Sequence, residues 1–373
     1  MYGNDTPGRD ILRQFDMVAG NSGGSIVMTA LCCNYTPKEI ADLYADPSTV
    51  EAMFCPRWTA VFKGIAPLRI LLPPYSSRGK FEALKRLFDR ARQAGEPAPS
   101  TIALADWPRI LGHDVRLLVT AYDYDREKAA FFRSDTGSRA QSSAPRIDAT
   151  LAEAVHASTN APVYYYGDPA EFHGRRYWDG GLAGYNNPVL AAVIEALANA
   201  PERRDDLRVL SIGTGQIIQA PIEEGAPPPL GSPRASTSLI TALKKAGTAV
   251  LADPPGAASF HAYVASGQPV PAGADPVPEA NVVRMSPCVR PIFDETTKGW
   301  HLPAGLSTGE FEQLLDLPVD AMTSDELGLL SKMGALWVSD AVPNQPIRMG
   351  LHMRSDIGDA TFSEALAHWR RVA

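Results

Sequence analysis

Phe15-Asp16-Met17-Val18-Ala19-Gly20-Asn21-Ser22-Gly23-Gly24-Ser25-Ile26-Val27-Met28-Thr29-Ala30-Leu31 is the stretch that decides how this 373-residue chain folds. It opens with an apolar, strand-like run and closes with small apolar residues that suit a helix, and Gly-x-Ser-x-Gly lies between them. A strand, a sharp turn and a helix in that order push the serine onto a strained tip with its hydroxyl exposed. Small residues two positions to either side let strand and helix approach closely. Ser22 is therefore the expected nucleophile, and Gly20 and Gly24 are the expected close-approach positions. The amide of Gly23 falls at the N-terminus of the following helix, where its N–H can stabilise an oxyanion.

A serine hydroxyl is a weak nucleophile until a base takes its proton. The α/β-hydrolase order is serine, acid, histidine, with several strands built before the elbow. Only residues 1–21 precede Ser22, room for a single strand and a short lead at roughly 3.3 Å per residue, which argues against that topology. His261, His301, His352 and His368 lie in polar or loop-like surroundings without a motif and read as surface or structural histidines. A carboxylate is the better answer. Tyr177-Trp178-Asp179-Gly180-Gly181-Leu182 ends a hairpin-like stretch with Gly174 in its turn and Arg175 through Trp178 on the returning strand. Asp179 then sits at the strand's end, where Gly180 and Gly181 let the backbone turn sharply and expose the side chain. Asn186-Asn187-Pro188 reads as an N-cap with proline at the first helical position, opening a helix from Val189 to Leu197.

At this point the chain resembles the patatin-like phospholipases. The resemblance rests on the elbow at Gly20 to Gly24, on Ala157-Ser158-Thr159-Asn160-Ala161-Pro162 leading into Val163 through Tyr166, and on Asp179-Gly180-Gly181 followed by Asn186-Asn187-Pro188. Leu210-Ser211-Ile212-Gly213-Thr214-Gly215 is similar to the family's strand and turn after the aspartate, and the set spans residues 15 to about 216 in the family's order. The resemblance implies a three-layer α/β/α fold with a central, mostly parallel sheet. It also implies a lipid acyl hydrolase of phospholipase A or esterase type, with a serine-aspartate dyad. Ser22 would be the nucleophile and Asp179 the general base, with no histidine, metal or cofactor. An aspartate with an ordinary pKa near ~4 is a weak base, so tight placement and partial exclusion of water must strengthen it.

The family pattern also includes a glycine-rich loop upstream of the elbow whose amides form most of the oxyanion hole. Met1-Tyr2-Gly3-Asn4-Asp5-Thr6-Pro7-Gly8-Arg9-Asp10 is polar, carries isolated glycines and lies too close to the elbow to hold a strand, loop and helix. Losing one oxyanion donor costs on the order of 10² to 10³ in rate. Three explanations are open: an N-terminally incomplete enzyme, a hole built from other amides, or a catalytically silent relative that binds lipid or a protein partner. The first is the expectation, because a silent relative has no chemical need to keep the dyad. A soluble short-chain carboxylesterase is the further alternative.

Composition fits a soluble, cytoplasmic enzyme with peripheral contact to lipid. The chain is 45% hydrophobic and 21% charged, close to globular averages, so wholesale disorder is excluded. A net charge of −7 without a basic stripe speaks against nucleic acid as a partner. Cys32 and Cys33 are adjacent while Cys55 and Cys288 stand alone, so the cysteines have no metal spacing and read as reduced thiols. The N-terminus has no apolar core segment of a signal peptide, and no stretch approaches the ~20 apolar residues of a membrane span. Oligomeric state is not legible in the sequence.

Residues 1–216 read as the catalytic core and 217–373 as proline-rich loops, a strand and helices that complete the same domain. Thr36 and Pro37 open a helix, and Val61 to Tyr75 is either a lid or membrane-facing surface or a buried connector. Lys80 to Gln93 is an amphipathic helix with Phe81, Leu84, Leu87, Phe88 and Ala91 on its apolar face. Strands are expected at Val115 to Ala121, Ala129 to Arg133 and Asn281 to Met285, and a buried strand at Leu207 to Ile212. Helices are expected at Asp148 to His156, Leu239 to Leu251, Thr308 to Leu315, Ser324 to Val338 and Thr361 to Val372. Gly225 to Pro233 and Gln268 to Pro278 read as surface loops, and Gly213 to Gly215 as a turn.

Overall fold

The computed structural model describes residues 2–373 apart from 58–72, 93, 136, 138, 140–147, 163–164, 220–229, 231–253, 271–279, 319 and 349–356. The chain divides into two compact units, Tyr2–Glu202 and Arg203–Ala373.

In the first unit, helix α1 (Gly8–Leu12) precedes strand β1 (Met17–Gly20) and helix α2 (Gly23–Cys32), the strand-turn-helix expected around Ser22. Helices α3 (Pro37–Ala45), α4 (Pro47–Phe54), α5 (Ser77–Asp89) and α6 (Trp107–Leu111) lead to strands β2 (Arg116–Asp123) and β3 (Lys128–Arg133). Helix α7 (Leu151–Ser158), strands β4 (Ala170–Phe172) and β5 (Arg175–Asp179) and helix α8 (Val189–Asn199) complete the unit. The helices start where their caps dictate: Thr36 and Thr150 each form a capping box with the glutamate three residues on, Glu39 and Glu153.

The sheet is mixed. β1 runs parallel to β2, with Met17 opposite Arg116 and Gly20 opposite Val119. β5 runs antiparallel to β2, with Asp179 opposite Ala121 and Tyr177 opposite Asp123. β3 pairs with Leu118 to Asp123 of the same strand. A strand has two edges, and β3 occupies one of them along this length, so β1 and β5 lie end to end on the other. Their C-terminal ends therefore converge on Thr120 from opposite directions, which brings residues far apart in sequence to one spot. The β4–β5 hairpin that carries Asp179 turns through His173 and Gly174, at φ 51° and 68°.

The core of this unit joins Leu84, Leu87 and Phe88 of α5 to Trp107, Leu117, Val119, Leu151, Val155 and Tyr177. On the expected apolar face of α5, Leu84, Leu87 and Phe88 are buried while Phe81 and Ala91 are half-buried. The stretch from Val61 lies outside the described residues except for Pro73 to Tyr75, and Tyr75 is fully buried.

In the second unit, strands β6 (Val209–Ile212) and β8 (Val282–Met285) pair in parallel, as do β7 (Gln216–Ile217) and β9 (Cys288–Val289), while β10 (Ile292–Asp294) and β11 (Gly299–His301) form a hairpin. Residues 254–265 are helical (α9), followed by α10 (Thr308–Asp316), α11 (Ser324–Val338) and α12 (Phe362–Val372), each close to its expected span where one was expected. The strand from Leu207 is less buried than expected: Ser211 is buried, Val209 and Leu210 are half-buried and Ile212 is 70% exposed. β8 is its only described neighbour, so nothing described covers its C-terminal end. The helix expected at Leu239 to Leu251 and most of the two proline-rich loops lie outside the described residues.

Candidate active site

Ser22 stands between β1 and α2 with φ 47° and ψ −126°, a positive-φ conformation that a side chain adopts only under strain. The turn is held at both ends of the residue. The backbone N–H of Ser22 donates to Ser158 Oγ at 2.8 Å, and its carbonyl accepts from the Ser25 N–H at 2.9 Å and from the Ser25 hydroxyl at 2.6 Å. Gly20 permits the close approach: a Cβ there would lie 2.7 Å from Ser25 Cα. Gly24 has no such role, since a Cβ on it would meet nothing within 4 Å. Gly23 and Gly24 are exposed beside a half-buried Ser22. The Gly24 N–H is tied to the Asn21 carbonyl at 2.8 Å, which leaves the Gly23 N–H without a partner among the described residues.

Asp179 ends β5 and is 9% exposed. Here the structure corrects the sequence reading, which expected the glycines to expose the carboxylate. Gly180–Ala183 instead form a 3₁₀ turn that folds back over it, and Asp179 Oδ1 accepts from the Gly181 N–H at 2.7 Å. Ser22 faces the same carboxylate closely enough to hold its pKa down. Burial raises the Asp179 carboxyl above its ordinary range, opposed by Gly181, Ser22 and Asn21 and by the charge of Lys80. A raised pKa makes the ionised carboxylate a stronger base, the direction in which a weak acid must move to deprotonate a serine.

Asn21 joins the two halves. Its Nδ2 donates to Asp179 Oδ1 at 3.2 Å, and its Oδ1 accepts from Thr120 Oγ1 at 2.7 Å and Ser158 Oγ at 3.4 Å. Gly180 is required by this contact, because a Cβ on it would lie 2.3 Å from Asn21 Oδ1. The Asp179 N–H donates to the Asn160 carbonyl at 3.1 Å, so the Ser158-Thr159-Asn160 segment holds the backbone of both Ser22 and Asp179. Asn186 is exposed. Asn187 is buried and its Oδ1 accepts from the Val189 N–H at 3.2 Å, while Pro188 itself occupies the cap position rather than the first helical one. A proline ring leaves no N–H to bond, so the asparagine caps one residue further on.

The sequence reading singled out Ser22, Asp179 and the glycines but not Asn21, Thr120, Ser158 as a hydrogen-bond acceptor, or Lys80. A signal existed for two of them. Thr120 is the one hydroxyl in the otherwise apolar run Leu117-Leu118-Val119-Thr120-Ala121, and Lys80 lies four residues before Leu84, in line with the apolar face.

The N-terminal residues lie elsewhere. Arg9 Nε donates to the Cys32 carbonyl at 2.9 Å, the Arg9 N–H donates to Asn34 Oδ1 at 3.1 Å, and a Cβ on Gly8 would strike Leu31 and Tyr35. All of these contacts are at the C-terminal end of α2, a 10-residue helix about 15 Å long whose other end carries Ser22. Residues 8 and 9 therefore bring no amide to the elbow.

No curated protein matches the chain. The model of the patatin-like phospholipase family matches residues 7–193, half of the chain and the whole of the region that carries the elbow and Asp179. The family's α/β/α fold and its hydrolysis of lipid acyl esters come with that match. The chain belongs to the patatin-like phospholipase family.

Proposed function

We propose that this chain hydrolyses lipid acyl esters with Ser22 as nucleophile and Asp179 as general base. The observation that supports this most directly is that β1 and β5, meeting end to end on β2, bring the strained Ser22 turn to a buried carboxylate, with Asn21 beside Ser22 donating to Asp179 Oδ1 at 3.2 Å. Ser22 Oγ attacks the ester carbonyl as its proton passes to Asp179, and the oxyanion of the tetrahedral intermediate is met by the Gly23 N–H. Collapse breaks the bond to the alcohol, which leaves with the proton from Asp179, and an acyl-Ser22 ester results. Water then attacks that ester while Asp179 takes its proton, and breakdown of the second intermediate returns the proton to Ser22 and releases the carboxylic acid. None of these steps calls for a metal or cofactor. Phospholipid esters are the substrates the family suggests, with peripheral lipid contact.

A second reading is a silent scaffold that binds lipid or a protein partner. It draws on one observation: past Ser22 the elbow offers the Gly23 N–H as its one unengaged amide among the described residues, where an efficient hole uses more than one donor. Hydrolysis of p-nitrophenyl esters of graded chain length and of mixed phospholipid vesicles separates the readings, with Ser22→Ala and Asp179→Asn as comparisons. Activity lost in both variants supports the dyad, and preference for vesicles over monomeric esters supports a phospholipase over a short-chain carboxylesterase. An unmodified chain as inert as its variants counts against a working oxyanion hole at this elbow.

A further inference from the structure

Lys80, on the first turns of α5, is 3% exposed and has no carboxylate within ion-pair distance among the described residues. Its Nζ donates to the His156 carbonyl at 3.0 Å and to Thr159 Oγ1 at 2.9 Å, and lies 4.6 Å from the centre of the Tyr166 ring. All three partners are neutral. Burying an ammonium among neutral groups is costly, and a fold keeps such an arrangement where a nearby negative charge or a function compensates it. The negative charge that acts on Lys80 is that of Asp179. One residue-turn earlier on the same helix, Ser77 Oγ donates to Asn160 Oδ1 at 2.8 Å. The first turns of α5 thus grip Thr159 and Asn160, between the hydroxyl that holds the Ser22 N–H and the carbonyl that holds the Asp179 N–H.

We propose that Lys80 is a positioning residue of the dyad, whose buried positive charge keeps Asp179 in its carboxylate form and whose hydrogen bonds fix the segment that holds both dyad backbones. The inference rests on the dyad reading above. Burial drives the Lys80 ammonium well below the usual lysine range, and Asp179 opposes that; Lys80 in turn lowers the Asp179 carboxyl. His156, on α7, is buried, stacks on Phe81 and is driven well below the ordinary histidine range by burial and by Lys80, so it adds no charge. Glu153, on the same helix, is taken by the Thr150 cap and by His173.

The test is the pH dependence of kcat/KM on a soluble p-nitrophenyl ester for the unmodified chain, Lys80→Met and Lys80→Arg, alongside a 13C NMR titration of the aspartate carboxyls, with Asp179→Asn assigning the Asp179 signal. Loss of the charge in Lys80→Met should move the acidic limb and the Asp179 titration upward by about one pH unit, so that the rate deficit reaches about tenfold at low pH and narrows at high pH. KM should change little, and Lys80→Arg should restore the position of the limb. A deficit independent of pH with an unmoved Asp179 titration would overturn the proposal and leave Lys80 a packing residue. Should Lys80→Met not fold, the unmodified chain still decides: the 15N shift of the Lys80 ammonium must follow the Asp179 titration, and its indifference overturns the proposal. An inert chain with a moved carboxyl titration, by contrast, sinks the dyad reading and keeps the electrostatic link.

Discussion

Asn21 Nδ2 and Asp179 Oδ1 lie 3.2 Å apart, a side-chain hydrogen bond between the elbow and the strand end that faces it. The second position of a Gly-x-Ser-x-Gly turn is here a donor to the carboxylate, with its own oxygen anchored on Thr120. Asn21→Asp keeps the size and the Thr120 contact but sets a second carboxylate against the first. Two acids that close cannot both ionise easily, so the acidic limb of the pH–rate profile should rise by about one unit or more. Activity at neutral pH should fall at least about tenfold, and an unchanged profile would show that Asn21 does not touch the working carboxylate.

The two glycines of the elbow should behave oppositely. Gly20→Ala drives a methyl into Ser25 Cα and the Ser25 amide, both backbone, and should cost more than ~2 kcal/mol of stability. Gly24→Ala meets open space on the first turn of α2 and should be neutral or stabilising by up to ~1 kcal/mol. Denaturant unfolding of the two variants checks the pair.

Much of this was legible in the sequence, for reasons that differ between elements. The elbow and α2 follow from local periodicity and from glycine's steric freedom, which act within a dozen residues. The helices at 308–316, 324–338 and 362–372 announce themselves through Ser or Thr caps with a glutamate three residues on, again a local signal. The burial of Asp179 was not legible, because it arises from β1 and β5 sharing one edge of β2, a tertiary arrangement with no signature in the Asp-Gly-Gly turn. Lys80 was hidden for a related reason: a lysine on an apolar face usually extends its charge to water, and only the fold shows this one stopping at two oxygens and a ring. The exposure of Ile212 likewise depends on which strands flank β6, not on its apolar composition.

Asp179→Asn should be inactive and more stable than the unmodified chain. The carboxyl's pKa is raised in the folded state, so the folded protein holds that proton more tightly than the unfolded chain does. The group's stabilisation is therefore fully present below the unfolded value of about 4 and is lost as pH rises through the folded one. At neutral pH the buried charge works against the fold, and the neutral amide removes that cost while its oxygen still accepts from Gly181. The melting temperature of Asp179→Asn should exceed that of the unmodified chain by a few degrees at pH 7, and the difference should close toward pH 4. A gap that widens on acidification would contradict the sign.

Thiol reactivity should divide the four cysteines. Cys32, Cys33 and Cys288 are buried and Cys55 is half-buried, all of them free. Burial pushes the Cys32 thiol up to about 12 and raises Cys33 well above its ordinary value, so the thiolate that reacts is scarce at both. Titration with a disulfide reagent in the native state should label Cys55 alone on the fast timescale, with the other three released by denaturant. Fast labelling of Cys32 would show that α2 opens locally.

Ser22 offers the last contrast, between its hydroxyl and its backbone. At φ 47° and ψ −126° any side chain is strained, and the bonds from Ser158 and Ser25 hold the residue there. Such strain costs about 1–3 kcal/mol, whereas the extra freedom of glycine in the unfolded chain costs about 0.4–1 kcal/mol. Both Ser22→Ala and Ser22→Gly remove the nucleophile and should abolish ester hydrolysis equally. Only the glycine also removes the Cβ that opposes the turn, so Ser22→Gly should be the more stable of the two by ~1 kcal/mol in denaturant unfolding. If alanine proves the more stable, the elbow is not strained in solution, and the Ser22 hydroxyl is presented to Asp179 by the hydrogen bonds alone.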